Sequence, residues 1–177
     1  MINHYLIRFS IFSLIFFIFS CSTIHSTQTV KLVNIERFMG DWYVIASVPN
    51  FIENNAINPI ESYSLNSDGY IDTQFSFYTN DDKKEKKKYN AKGFIRNKET
   101  NAEWGMQFFW PIKFSFLIVD LANDYSFTVI SVPSKKHIWI MSRENDLDDA
   151  VYIKIVEKLK NNGYNTSNIV KTNQIID

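Results

Sequence analysis

The chain has 177 residues, enough for one domain around one hydrophobic core but not for two. Lysine plus arginine balance aspartate plus glutamate at 19 each, so no net field gathers nucleic acid or a strongly acidic partner. A single cysteine excludes an intramolecular disulfide, while 15 Phe and 9 Tyr supply an apolar volume that the fold must use.

Residues 1–20 read as a secretion signal: a weakly basic start containing Arg8, the apolar run Phe9 to Phe19, and the small residue Ser20 before Cys21. The run is too short to span a bilayer, which takes about 20 apolar residues. The tetrad Ile18-Phe19-Ser20-Cys21 resembles the bacterial lipoprotein signal, with an aliphatic residue three before the cysteine and a small one immediately before it. That resemblance makes Cys21 the acylated N-terminus and lipid anchor, and more than one acyl chain turns marginal membrane binding into stable anchoring. Ser22 in place of Asp favours the outer membrane, with the protein facing the periplasm. Removing residues 1–20 leaves 157 residues: a lipidated tether over 21–29, polar from Ile24 to Gln28, and one domain over 30–177.

From Asp41 onward come eight short β-rich runs: Asp41 to Val48, Ile60 to Leu65, Tyr70 to Thr79, Glu85 to Arg96, Ala102 to Trp110, Lys113 to Leu121, Tyr125 to Val132 and His137 to Ser142. Asn66-Ser67-Asp68-Gly69 tolerates positive φ, Pro111 and Pro133 end their strands, and Asn97 to Thr100 is a polar reversal. Short connections make neighbours antiparallel. Closing eight such strands into an up-and-down barrel removes exposed edges and encloses room for one small ligand; a two-sheet sandwich is the alternative. The period then changes. Leu147, Val151, Ile155 and Leu159 recur every four residues, with Asn145 or Asp146 as N-cap, Gly163 as stop, Asp148 and Asp149 leading, and Lys158 and Lys160 trailing. This predicts one amphipathic helix packed outside the barrel, with a last strand, Ile169 to Gln174, after it.

Alternation separates the two faces of several strands. Trp104, Met106, Phe108 and Trp110 share one face, as do Ile71, Phe75 and Phe77, and Tyr89, Ala91, Gly93 and Ile95; these faces are read as inward. Small residues at 91 and 93 facing large aromatics leave a hollow, or else serve a tapered packing. Lys113 to Leu121 and Tyr125 to Val132 are apolar on both faces, so their register cannot be read, and one side meets the helix or another subunit. Asn50 to Pro59 is a candidate lid over the barrel mouth. The run Asp81 to Lys88 is a solvated hairpin or, alternatively, a membrane- or phosphate-binding cluster. Glu61 and Tyr63 share a parity near the lid and are candidates to bind a ligand's polar head at the open end.

No hydrolase or metal constellation stands in the chain. His4, His25 and His137 with one cysteine make neither a zinc set nor a Cys-His pair, and glycine motifs for a nucleophile elbow or a phosphate cradle are absent. No metal, cofactor or catalytic residue is therefore expected.

Three motifs stand in family order. Gly40-Asp41-Trp42-Tyr43 resembles the lipocalin Gly-x-Trp signature, Asn123-Asp124-Tyr125 the Thr-Asp-Tyr turn between the sixth and seventh strands, and Arg143 follows the eighth strand in Trp139-Ile140-Met141-Ser142-Arg143. The stretch from Asp124 to Arg143 is especially similar to the bacterial outer-membrane lipocalins. The resemblance implies an eight-stranded barrel with a C-terminal helix, Trp42 closing its narrow end and Arg143 lying over Trp42, with Gly40, Asp124 and Tyr125 completing the signature. It also implies binding of fatty acids, phospholipids or lysophospholipids and, in some members, a homodimer. The leading expectation is non-catalytic storage or transport of lipid at the outer membrane, the ligand lying against Phe75, Phe77, Ile95, Met106, Phe108, Trp110 and Trp139. Two other classes stay open: a lipocalin-like isomerase or de-epoxidase using Glu61, and a structural envelope lipoprotein with a filled barrel.

Overall fold

Period-two patterning broken by turn residues yields eight antiparallel strands in the computed structural model, which describes residues 28–48, 56–79 and 86–174. The signal, Cys21, most of the tether and parts of the candidate lid and charge run lie outside the described residues. The strands are β1 (Gly40–Ser47), β2 (Ile57–Leu65), β3 (Ile71–Tyr78), β4 (Lys86–Ile95), β5 (Glu103–Phe109), β6 (Ile112–Leu121), β7 (Phe127–Ser131) and β8 (Ile138–Ser142). Each pairs with the next, and β1 pairs with both β2 and β8. The result is a closed up-and-down barrel, not a sandwich. Odd-numbered strands run from the first end of the barrel toward the other and even-numbered strands return.

Two helices flank this wall. α1 (Ile35–Phe38) precedes β1 and is capped by Asn34, whose side-chain oxygen accepts from the Arg37 amide at 2.9 Å. Four residues are too few to show a helical period, and the sequence did not announce it. α2 (Asp149–Asn161) begins later than the pattern predicts. Its cap is Asp148, not Asn145 or Asp146, because the Asp148 carboxylate reaches the amides of both Ala150 (2.9 Å) and Val151 (3.1 Å). Gly163, at φ +78°, ends it as expected.

α2 buries Ile155 and Leu159 against Ala46, Val129, Ile138 and Ile140 on the barrel's outer face. The inner faces of the same strands, through Val44, Ile130 and Met141, belong to the core inside the barrel. This double duty explains why Tyr125 to Val132 is apolar on both faces: alternate residues serve two different cores.

A last strand, β9 (Val170–Lys171), is shorter than Ile169 to Gln174 but does its work at a seam. β2 pairs with β1 only from Gly40 to Tyr43; a register break between Ile57 and Ile60, containing Asn58 at φ +50° and Pro59, turns it away. β9 takes up the vacated edge opposite Ala46 and Ser47. Beyond it the Thr172 amide donates to the Ile45 carbonyl (2.9 Å), the Asn58 amide to the Asn173 carbonyl (2.9 Å), and the Gln174 side chain to the Val44 carbonyl (2.8 Å).

Because α2 is held by its buried stripe, Leu159→Ala should cost about 2–5 kcal/mol of unfolding free energy. Ile153→Ala, on the exposed face of the same helix, should stay within about 0.5 kcal/mol, both read by urea denaturation.

Candidate functional site

One end of the barrel is sealed by a single cation. The Arg143 guanidinium lies 3.7 Å from the centroid of the Trp42 ring and donates to the carbonyls of Asp41 (2.7 Å), Arg37 (2.8 Å), Met39 (2.9 Å) and Phe38 (3.1 Å). Gly40 has φ +96°, and a Cβ there would come within 3.3 Å of the guanidinium, so this backbone and this approach both require glycine. The Trp42 indole donates to the Phe38 carbonyl at 2.9 Å. Tyr125, at φ +65°, accepts the Asn34 amide on its hydroxyl (2.8 Å) and lies under the Arg37 guanidinium at 4.1 Å. Asp124 holds this turn by accepting from the Ser126 hydroxyl and amide, which keep its carboxyl below the usual range. Gly40, Trp42, Asp124, Tyr125 and Arg143 thus meet at the closed end, where their work is structural.

Above this seal lies an aromatic floor. Phe38 packs on Trp42 (5.1 Å between centroids), on Tyr63 (5.6 Å) and edge-on to Trp104 (5.4 Å), while Phe116 stacks on Trp104 at 5.8 Å. Tyr63 belongs to this floor, and its hydroxyl donates to the Glu61 carboxylate. Glu61 and Tyr63 both face inward but not at the rim: β2 runs from the mouth toward the closed end, so Tyr63 reaches the floor and Glu61, paired with Phe75, lies just above it. Burial, then the charge and hydrogen bond of Glu61, push the Tyr63 hydroxyl well above its ordinary value near 10, against the opposing pull of Arg143. Across the β2–β3 ladder, opposite Tyr63, the buried Thr73 hydroxyl has no partner among the described residues.

The wall toward the mouth is apolar and partly open. Phe75 packs on Phe77 (5.2 Å), and Phe77 stacks on Tyr89 (6.0 Å). Met106 pairs with Phe114 and Trp104 with Phe116, which fixes the inner face of β6 that the sequence left unread. Trp139 stacks on Phe116 at 6.5 Å and on His137 at 6.0 Å. Although inward in register, Tyr89 and Phe114 remain 39% and 48% exposed, so the rim of the barrel meets solvent at this end, while Phe75, Phe77 and Met106 beneath it are buried. Lower down the barrel is filled: a Cβ on Gly93 would meet the Met106 sulfur at 3.2 Å and the Ile71 Cβ at 3.3 Å. Position 93 therefore serves tapered packing, not a hollow.

Two inward readings need correction, those of Phe108 and Trp110. Ile95, the last residue of β4, is inward as read, but it pairs with the fully buried Trp104 and belongs to the floor layer, not to the ligand wall. A bulge between Met106 and Phe109 shifts the parity of β5 by one residue. Past it, Phe109 pairs with Ile112 and continues the inner face, so Phe108 does not. Trp110 lies on the hairpin turn, 85% exposed and outside the wall. Phe114, Phe116 and Thr73 are lining residues that the sequence reading left out, and Tyr89 was read as inward but not set against the ligand. Among the described residues no group of three or more His, Cys, Asp or Glu could hold a metal.

A family model described as a lipocalin-like domain matches residues 33–174. Temperature-induced lipocalin-1 of Arabidopsis thaliana is 31% identical over 162 residues, covering 83% of this chain and 82% of its own. Outer membrane lipoprotein Blc of Escherichia coli K12 is 24% identical, covering 90% and 91%. Among solved structures, lobster apocrustacyanin A1 superposes with a TM-score of 0.64 at 20% identity, covering 81% of each chain.

The buried Tyr63 gives a pH test. The folded chain holds this proton more tightly than the unfolded chain, so the stabilisation is complete below pH about 10 and is lost as pH rises beyond it. Unfolding free energy should fall more steeply above that pH in the parent than in Tyr63→Phe, and spectrophotometric titration should show one tyrosine ionising only on unfolding.

Proposed function

The chain belongs to the lipocalin family, whose members bind small hydrophobic ligands, and from that premise we propose that its barrel carries or stores an acyl lipid and catalyses nothing. The observation that carries this reading is the pairing of a sealed aromatic floor with inward aromatics that stay half exposed at the other end. A ligand enters through that end and lies against Phe75, Phe77, Met106, Phe114 and Trp139. Burying about ten methylenes gains roughly 8 kcal/mol gross, and the ordering cost brings affinity to the micromolar range. Glu61, Tyr63 and Thr73 supply the polar contacts inside an otherwise apolar wall. Fatty acids, phospholipids and lysophospholipids fit this lining, and the relatives named outer membrane lipoproteins support a place at that membrane, tethered through Cys21 and facing the periplasm.

One feature favours a second reading. Glu61 is a carboxylate inside the barrel hydrogen-bonded to a tyrosine, the kind of pair an isomerase would use. Turnover of an apolar substrate that Glu61→Gln abolishes, with binding retained, would replace the carrier reading.

Native mass spectrometry with lipid extraction should find acyl lipid on the purified protein, and fatty acids should quench its tryptophan fluorescence. Trp139→Ala should weaken that binding about tenfold, the value of one lost aromatic contact surface. Protein that carries no lipid and shows no quenching overturns the proposal. Cys21→Ser should release a soluble, still-folded barrel from the membrane fraction.

A further inference from the structure

The hairpin joining β5 and β6 puts its apolar side chains in water. Between residues 108 and 114, Phe108 (55%), Phe109 (56%), Trp110 (85%), Ile112 (46%) and Phe114 (48%) are all exposed, and Phe108 and Phe109 each lie 6.2 Å from Phe114 without covering it. Scattered apolar residues are ordinary on a protein surface, but a contiguous aromatic patch of this kind marks a place where something docks.

Its surroundings identify the chemistry of the partner. Lys92 of β4 faces Gln107 of β5, and the strands are antiparallel, so β4 traced back to Lys86 and β5 traced on to Phe109 reach the same end of the barrel. That end carries exposed Lys86, Lys87 and Lys88, none with a carboxylate partner among the described residues, while Lys113 turns its ammonium back onto the Phe94 ring at 3.4 Å; the two described ion pairs are Lys158–Asp120 and Lys171–Asp149. The turns at the closed end carry Asp68, Glu99 and Asp124 against the single lysine Lys98. Zero net charge therefore conceals a separation of charge along the barrel axis.

We propose that this end docks on an anionic phospholipid bilayer, the aromatic hairpin entering the boundary between headgroups and acyl chains while the lysines bind lipid phosphates. Aromatic side chains favour that boundary, and lysines beside an anionic surface add to the attraction. The barrel then opens onto lipid instead of onto water. Docking extends the carrier reading, on which only its purpose rests, and it is independent of acylation at Cys21.

The test uses the full chain with Cys21→Ser, so that no acyl anchor contributes, and vesicles of phosphatidylcholine with or without phosphatidylglycerol carrying brominated acyl chains. Trp110 is the probe, read in a Trp139→Phe background, since Trp42 and Trp104 are buried in the floor and Trp139 lies in the wall that a lipid inside the barrel would touch. Vesicles containing phosphatidylglycerol should quench the parent's fluorescence, and Trp110→Phe should remove most of that quenching while still cosedimenting. Combined Lys86→Glu, Lys87→Glu and Lys88→Glu should lower partitioning onto anionic vesicles by at least about tenfold, with the circular dichroism spectrum unchanged. Equal quenching of parent and Trp110→Phe, equal binding to neutral and anionic vesicles, or a dimer that buries Trp110 without vesicles each overturns the proposal. Fatty-acid uptake from buffer, measured in parallel, reports on the carrier reading separately.

Discussion

The fold turns on one guanidinium. Arg143 meets four carbonyls around the junction of α1 and β1, those of Phe38 and Met39 partly buried beside the aromatic core and those of Arg37 and Asp41 nearer the surface. Leaving a buried carbonyl unpaired costs about 1–3 kcal/mol, and only a forked, always-charged donor satisfies several at once while its plane lies on an indole. Because that end is sealed by side chains from the two extremes of the barrel sequence, the opposite end is left as the opening. Polarity along the axis follows from this closure.

Between seal and mouth the wall does two jobs. β1, β7 and β8 give one face to the barrel interior and the other to α2, so the helix buttresses the wall without entering the ligand space. The interior grades from packed to open: Gly93 admits Met106 with no room to spare, whereas Tyr89 and Phe114 still meet water. Glu61 and Tyr63 stand where the two regimes meet, a polar pair made affordable by its own hydrogen bond.

Much of this was legible in the residues, and the failures share a cause. Strands and turns show through because alternation and residues such as Gly69 and Gly163 act locally. That Glu61 and Tyr63 share a parity was readable; which way it faces and at what depth were not, since both depend on how the strand sits in the closed barrel. Phe108 and Trp110 were assigned by extending the alternation through a bulge that leaves no mark in the sequence. The face of β6 was hidden because Phe116 packs in the floor while Val119 packs under α2, leaving no polar side to betray the register. Arg143, Trp42 and Tyr125 were recognisable as a set only through the family resemblance, as nothing local says that residues so far apart should meet.

The seam beside β1 carries a consequence for assembly. Tyr43 pairs with Ser142 and Ala46 with Lys171, so beyond its pairing with β2 the first strand finds its other partners among segments that come after every other strand in sequence. A chain emerging in order from a ribosome or a translocon can form its consecutive hairpins, but the ring stays unclasped until β8 and residues 170–174 are free. Such long-range pairing puts the domain among slow folders and keeps the unfinished chain open until its last residues arrive.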